Sequence, residues 1–111
     1  MTETAKYVDA AQLELLISQE ETLVIDFTAS WCGPCKVVGP LMDELAAEFA
    51  GKSTIVKVDI DSNKNITKAL GIRSIPAVVY FKQGEEVQRV VGVKPIEDFR
   101  DILNTLLSSA T

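Results

Sequence analysis

The spacing of apolar residues changes several times along the chain, and each change predicts a different element of secondary structure. Runs of consecutive apolar residues predict strands that are covered on both faces of a sheet. Apolar residues three or four positions apart predict the buried side of a helix. Strands are expected at Lys6–Val8, Leu23–Phe27, Thr54–Ile60, Ala77–Lys82 and Glu86–Val91. Helices are expected after Asp9, from about Cys32 to Gly51, at Asn63–Leu70 and from Pro95 onwards.

Polar and conformationally special residues mark the limits of these elements. Asp9 and Gln12 have the spacing of a capping box at the N-terminus of a helix. Gly51 is expected to end the second helix, and Pro40 is expected to bend it because proline lacks a backbone donor. Gln83–Gly84 separates two apolar runs and predicts a turn between antiparallel strands.

The order of the elements predicts an α/β fold. Helices alternate with strands through most of the chain, and a hairpin and a final helix follow. This order favours a mixed sheet with helices on both of its faces. The 111 residues are expected to form a single domain over positions 1–111, because this length is near the commonest domain size and allows a sizeable hydrophobic core.

Composition and charge narrow the classes of function. Apolar residues make up 47% of the chain and charged residues 24%, as in ordinary globular proteins. The net charge of −5 argues against nucleic-acid binding, which requires a basic surface. No apolar stretch approaches the ~20 residues of a membrane span. The first residues resemble neither a secretory signal nor a transit peptide, so a cytoplasmic location is expected.

Both cysteines fall within Trp31–Cys35, between the strand Leu23–Phe27 and the second helix. A purely structural disulfide is a weak reading, because closing a four-residue loop stabilises a fold by only about 1.9 kcal/mol in the chain-entropy model. A metal site within one chain is also weak, since the chain has two Cys and no His and structural zinc takes about four ligands. A metal cluster shared by two chains stays open. Cytosolic CxxC pairs are more often catalytic, which favours dithiol–disulfide exchange.

The two thiols have different expected roles. Cys32 follows a strand end in the first turn of the predicted helix, where free N–H groups and the positive helix end favour a thiolate. A thiolate is the nucleophile in disulfide exchange. Cys35 lies one helical turn further on and is expected to be more buried, so it is predicted to resolve the mixed disulfide. Pro34, which lies between the two cysteines, has its φ angle fixed at a helical value by its ring.

The chain resembles thioredoxins over nearly its whole length. Asp26–Lys36 closely resembles the active-site segment of that family, and Ile75–Pro76 strengthens the match. Further matching segments are Pro40, Lys57–Asp59, Gly71–Pro76, Phe81–Gly84 and Val91–Gly92. The resemblance implies the thioredoxin fold, with a central mixed sheet of about five strands flanked by about four helices. It also implies a protein-disulfide reductase, a thiol–disulfide oxidoreductase that carries electrons.

The resemblance assigns roles to individual residues. Asp26 would be a buried carboxylate that exchanges protons with Cys35, and Lys57 would lie near Asp26 and tune it. Pro76 would follow a cis peptide bond, and Ile75 would offer backbone groups to an extended substrate. An exposed apolar contact surface around Cys32 would consist of Trp31, Gly33, Pro34, Ile75, Pro76, Gly92 and Val93.

Partners are implied by the same resemblance. The substrates would be disulfide-containing proteins, and a thioredoxin reductase, NADPH- or ferredoxin-linked, would recharge a monomeric protein. No cofactor or metal would be needed beyond the Cys32–Cys35 disulfide. The chain departs from the family at Thr28, where an aromatic residue is common, at Ala77, where Thr is common, and at Val93, where Ala is common. Thr28 removes bulk near the active-site helix, which bears on packing, substrate preference and redox potential.

Two other functions stay open. An oxidant or isomerase of the same fold usually carries His between its cysteines, where this chain has Gly33–Pro34. A non-catalytic module, in which the reduced loop docks a partner protein, belongs to another class of function. A partner interaction that survives the loss of both Cys32 and Cys35 would distinguish that module from an enzyme.

Overall fold

A computed structural model describes residues 4–108 of the chain, which form five strands and four helices. The strands are β1 (Lys6–Tyr7), β2 (Thr22–Thr28), β3 (Thr54–Asp59), β4 (Ala77–Lys82) and β5 (Glu85–Val91). The helices are α1 (Ala10–Gln19), α2 (Cys35–Glu48), α3 (Lys64–Ala69) and α4 (Ile96–Ser108). The predicted single domain of residues 1–111 includes 1–3 and 109–111, which lie outside the described residues.

The strands form one mixed sheet in the order β1-β3-β2-β4-β5. The β1–β3 and β2–β3 pairs are parallel, and the β2–β4 and β4–β5 pairs are antiparallel. All seven residues of β2 are buried, as expected for a central strand covered on both faces. The predicted α/β class and mixed sheet are therefore confirmed, and β2 is the strand that delivers the chain to the cysteine segment.

Two apolar layers hold the helices against the sheet. On one face, Val24 and Tyr80 pack with residues of α2 and α4, among them Leu45 and Phe99. On the other face, α1 and α3 cover a second cluster, to which α1 contributes the fully buried Leu13. Each layer removes a continuous apolar surface from water, which is the main favourable contribution to folding. The two layers together cover both faces of β2 and hold this strand in place.

Most predicted element limits agree with the structure to within one residue. The capping box of Asp9 and Gln12 is present at the start of α1. The hairpin turn is confirmed at Gln83 and Gly84, whose φ angles of 51° and 83° are both positive, as a two-residue turn between twisted strands requires. Among residues 4–108, no helix is long and apolar enough to cross a bilayer.

The start of α2 differs from the prediction. The sequence placed Cys32 in the first turn of this helix, but α2 begins at Cys35, with Pro34 as its N-cap residue. Residues 33 and 34 instead form a turn whose carbonyls accept from Lys36 and Val37, at 3.0 and 3.1 Å. Cys32 therefore precedes the helix and faces its first free N–H groups. The proline inside the helix, Pro40, was predicted correctly.

Candidate active site

Cys32 lies in the connection between the carboxyl end of β2 and α2, and Cys35 is the first residue of α2. The two cysteines form a disulfide with a Cα–Cα distance of 5.3 Å. The Cys32 N–H donates to the Ala29 carbonyl at 3.2 Å, which folds the connection back on itself. The Cys35 N–H donates to the Cys32 Sγ at 3.2 Å. The first sulfur therefore occupies the position of a capping acceptor at the positive end of α2.

The disulfide is packed on three apolar neighbours. Ala29, Ile60 and Ile75 contact the two cysteines in one small cluster. The exposed fraction is 5% for Cys32 and 3% for Cys35, so in the disulfide state the two residues are buried almost equally. The sequence predicted a deeper Cys35, and the structure places it only slightly deeper.

A cis peptide bond joins Ile75 to Pro76, as the resemblance implied. Pro76 is buried, and its carbonyl accepts from the Gly92 N–H at 2.8 Å. Gly92 has a φ of 96°, a conformation that favours glycine. The structure therefore brings Ile75, Pro76 and Gly92 together, with Ile75 against the disulfide.

An exposed apolar surface adjoins the disulfide. Trp31 is 65% exposed and Val93 46% exposed, while Gly33 and Pro34 are also exposed. The predicted surface is thus mostly open to solvent, although Pro76 itself is buried. The Trp31 Nε1–H donates to the Asp61 Oδ2 at 2.8 Å, a bond that fixes the indole ring.

The role of Asp61 was missed from the sequence. It is thirty positions from Trp31, and its contact depends on the folded sheet. A usable signal existed, since β2 and β3 are parallel neighbours and residues just after their carboxyl ends meet at one edge of the sheet.

Asp26 lies in the middle of β2 and is 1% exposed. Neither of its carboxylate oxygens has a hydrogen-bond partner among residues 4–108. Burial raises the pKa of Asp26 to about 7, while the Lys57 ammonium acts to lower it and the Asp43 carboxylate to raise it. This carboxyl can therefore hold or release a proton near neutral pH.

Lys57 lies across from Asp26 in the β2–β3 register, as predicted, but its ion pair is with another residue. The Lys57 Nζ lies 3.0 Å from the Asp43 Oδ1, which also accepts from the Ala5 N–H at 3.1 Å. Asp43 was missed from the sequence. It is placed four residues after Gly39 and eight after Cys35, a spacing that puts all three on one face of α2.

One cavity joins these groups. It has a volume of about 360 Å³ and is lined by both charged residues of the strand pair, Asp26 and Lys57, and by Cys35. Thr28, Ser30, Lys36 and Tyr7 also line it, and the Lys57 Nζ lies 5.7 Å from the centre of the Tyr7 ring. The cavity thus connects the buried acid to the second cysteine.

A disulfide that closes and reopens within a fixed scaffold defines a thiol–disulfide oxidoreductase. The thioredoxin family model matches residues 4–105 of the chain. The chain belongs to the thioredoxin family. It is therefore an enzyme that reduces protein disulfides by dithiol–disulfide exchange.

Two curated relatives illustrate this membership. The chain is 45% identical over 87 residues to a chloroplastic M-type thioredoxin of Pisum sativum, an alignment that covers 78% of this chain and 51% of the pea protein. It is 42% identical over 81 residues to a thioredoxin of Staphylococcus aureus, covering 73% of this chain and 78% of that one.

Solved structures agree with the fold. A mutant thioredoxin from Halobacterium salinarum has a TM-score of 0.88 at 29% identity, covering 99% of this chain and 96% of that chain. A Malassezia sympodialis thioredoxin has a TM-score of 0.86 at 31% identity, covering 96% and 93%. These values confirm the predicted thioredoxin fold.

Proposed function

We propose that Cys32 attacks the substrate disulfide and that Cys35 resolves the intermediate. The Cys32 thiolate bonds to one substrate sulfur, the substrate disulfide breaks, and the other substrate sulfur leaves as a thiolate. The Cys35 thiolate then attacks the Cys32 Sγ, which closes the Cys32–Cys35 disulfide and releases the second substrate sulfur. Two electrons pass to the substrate, whose two thiolates take up protons.

The hydrogen bond from the Cys35 N–H to the Cys32 Sγ, at 3.2 Å, carries this assignment. A backbone donor at the positive end of a helix stabilises a negative sulfur, so it favours the thiolate of Cys32 over its thiol. Cys35 is the first residue of α2 and faces the cavity that Asp26 lines. This asymmetry supports the proposed order of attack.

Asp26 is proposed to take the proton of Cys35 as that thiol becomes the attacking thiolate. Its pKa, raised to about 7 by burial, suits a group that exchanges protons near neutral pH. The shared cavity of about 360 Å³ has room for water between the two groups. Lys57 is proposed to tune Asp26 from the neighbouring strand, together with its ion-pair partner Asp43.

Protein substrates are proposed to bind over the exposed apolar surface. Trp31 and Val93 supply exposed apolar area, and Gly33 and Pro34, which lie between the two cysteines in the chain, are also exposed. Ile75 is proposed to offer its backbone groups to an extended substrate segment. The hydrogen bond between Pro76 and Gly92 would hold Ile75 in position for this. Such a patch suits proteins as substrates.

The enzyme is proposed to act as a monomer that needs no cofactor beyond its own disulfide. A separate thioredoxin reductase, NADPH- or ferredoxin-linked, would return the electrons to the dithiol. The cytoplasm is the proposed compartment, because its thiol pools keep such pairs reduced. The pea relative is named as chloroplastic, so cell fractionation with an antibody to this chain tests the location.

The order of attack is tested by exchanging each cysteine separately. Cys35→Ser should accumulate a covalent mixed disulfide with an oxidised protein such as insulin, visible on non-reducing gels and released by dithiothreitol. Cys32→Ser should form none and should lose insulin reduction. Adducts on Cys32→Ser but not on Cys35→Ser would reverse the assignment, and insulin reduction unchanged in Cys32→Ser would exclude this chemistry.

A further inference from the structure

A groove adjoins the active site on the side of α3, and we call it the α3 groove. It has a volume of about 570 Å³. Its apolar part is formed by Ile60 and Ile72, and its rim by Asp61, Lys64, Lys68 and Arg73. Both isoleucines are half-buried, so they offer apolar area while remaining reachable.

The α3 groove is continuous with the reacting centre. Ile60 contacts the cluster of Cys32, Cys35 and Ala29 and also lines the groove. Asp61 lines the groove and holds the Trp31 indole by its 2.8 Å hydrogen bond. A substrate segment that extends from a disulfide at Cys32 can therefore enter the groove.

The charge of the rim is opposite to the charge of the whole chain. The chain carries a net −5, yet Lys64, Lys68 and Arg73 meet at one groove and are all exposed. None of these three has an ion pair or hydrogen bond from its side chain among residues 4–108. The cations of Arg89 and Arg100, in contrast, are held by Glu86 and Glu48. The one carboxylate of the rim, Asp61, already accepts from Trp31.

We propose that the α3 groove binds the segment next to the disulfide of a protein substrate, and that this segment carries an apolar side chain flanked by acidic residues. The apolar side chain would cover Ile60 and Ile72, and the carboxylates would face Lys64, Lys68 and Arg73. Complementary charge raises the rate of encounter and selects among partners. The proposal rests on the disulfide-reductase function above and defines its substrate preference.

Matched peptides test this preference. Two disulfide-bonded peptides would differ only in the residues that flank the cystine. In the acidic peptide each flank is a Leu between two Glu residues, and in the basic peptide each flank is a Leu between two Lys residues. At low salt the wild-type chain should reduce the acidic peptide with a kcat/KM roughly tenfold higher than that for the basic peptide. A few exposed charge pairs that act together are expected to give a difference of this size. The difference should lie mainly in KM and should shrink at about 1 M salt.

Two variants with the same net charge separate the groove from general electrostatics. Lys64→Gln with Lys68→Gln removes two positive charges at the rim. Lys52→Glu makes the same charge change at the opposite end of the sheet, in the turn that precedes β3. The groove variant should lose most of the acidic preference, while Lys52→Glu should keep it. Lys52→Glu should also reduce a peptide with Leu between two Ser residues at the wild-type rate, which checks that the added negative charge leaves the disulfide chemistry intact.

The outcomes are distinct. Equal kcat/KM for the acidic and basic peptides in the wild type overturns the groove proposal and leaves the reductase function standing. An equal loss of preference in both variants also overturns it, because net charge alone would then explain the selectivity. A wild type that reduces no peptide at all overturns the proposed function, and the groove proposal with it.

Discussion

Asp26 is the residue whose environment departs furthest from what stability alone would favour. A carboxylate without a hydrogen-bond partner is costly to bury, and here both oxygens lack one among residues 4–108. The raised pKa, about 7, is the thermodynamic expression of that cost. The same burial makes the group useful, since a carboxyl that titrates near neutral pH can serve as a proton acceptor.

Asp26→Asn is therefore expected to stabilise the oxidised protein and to slow its turnover. The unfolded chain releases this proton near its ordinary pKa of 3.8, whereas the folded chain holds it up to about 7. The wild-type free energy of unfolding accordingly falls as pH rises through that interval. At pH 8 the variant should be more stable by roughly 2 to 4 kcal/mol. Urea unfolding at pH 4 and pH 8 measures the difference.

The control for that experiment is Asp101→Asn, which removes an exposed carboxylate of α4. Its stability should follow the wild type to within about 0.5 kcal/mol at both pH values. The account of Asp26 would be wrong if Asp26→Asn gained no stability at pH 8, or if insulin reduction stayed at the wild-type rate.

Asp43 is expected to set the proton affinity of Asp26 through Lys57. Asp43→Asn removes a carboxylate that raises the Asp26 pKa, and it frees an ammonium that lowers it. Both effects have the same sign, so the Asp26 pKa should fall below its wild-type value of about 7. The other side chains that line the cavity of Asp26, among them Tyr7 and Lys36, are not changed by this substitution.

Carbon-13 NMR titration of the Asp26 carboxyl measures this change directly. Glu44→Gln is the matched control, because it removes the same charge from the next, exposed position of α2. The control should leave the Asp26 midpoint in place. A midpoint that rises in Asp43→Asn would show that Lys57 depends on Asp43 for its position near Asp26.

These two aspartates also show how far sequence reasoning reaches at the residue scale. Asp26 stands out because a charge inside an apolar run is unusual, and the family motif gives it a role. Asp43 lies in an ordinary amphipathic helix, where a carboxylate reads as part of the solvated face. Its pairing with Lys57 depends on how α2 crosses β3, which only the packed structure supplies.

At the scale of elements, the cysteine segment works because a strand and a helix hold its two ends. Strand β2 is buried along its whole length, and α2 packs on the sheet through Val38, Met42 and Leu45. The hydrophobic spacing predicted both elements. It did not predict the start of α2, because Gly33 and Pro34 take turn conformations that leave Cys32 outside the helix.

A buried hydrogen bond helps to hold helix α4 against the sheet. The Tyr80 Oη–H donates to the Phe99 carbonyl at 3.0 Å, and burial raises the pKa of Tyr80, which keeps the hydroxyl protonated as a donor. Tyr80→Phe should lower the free energy of unfolding by about 1 kcal/mol. Thermal unfolding measures this loss of stability. Insulin reduction should stay at the wild-type rate, because Tyr80 does not line the cavity of Asp26 and Cys35.

Tyr7→Phe is the control for that change. Tyr7 is 63% exposed and its hydroxyl makes no hydrogen bond among residues 4–108, so its loss should change stability by less than about 0.5 kcal/mol. Equal effects of the two substitutions would show that the Tyr80 hydrogen bond contributes nothing to the docking of α4.

The departures from the family act at the edges of the site. Thr28 is buried and lines the same cavity as Asp26, so the missing aromatic bulk falls next to the proposed proton acceptor. Ala77 is buried directly after the cis-proline, and Val93 adds exposed apolar area. These positions change the surroundings of the dithiol while Cys32, Cys35, Asp26 and Pro76 are retained.

At the scale of the whole molecule, the sheet order places the chemistry at one end. The carboxyl ends of β2 and β3 bring together the cysteines, Trp31 and Asp61, and the turn before β4 adds Ile75 and Pro76. The class of fold and the cysteine chemistry were predictable because they rest on periodicity and a short motif. The α3 groove was not, although its residues all lie between positions 60 and 73, because the spacing alone does not show which of their side chains face one groove.

The equilibrium reduction potential of the Cys32–Cys35 pair tests the central claim most directly. It is titrated in glutathione or dithiothreitol buffers and read from Trp31 fluorescence, with thiol alkylation as an independent readout. The account predicts a value near about −270 mV, which is the reference value for thioredoxins themselves. A value between about −180 and −120 mV, the range of isomerases and oxidants, would contradict the assignment as a reductase. Thr28 would then be the first position to replace with an aromatic residue.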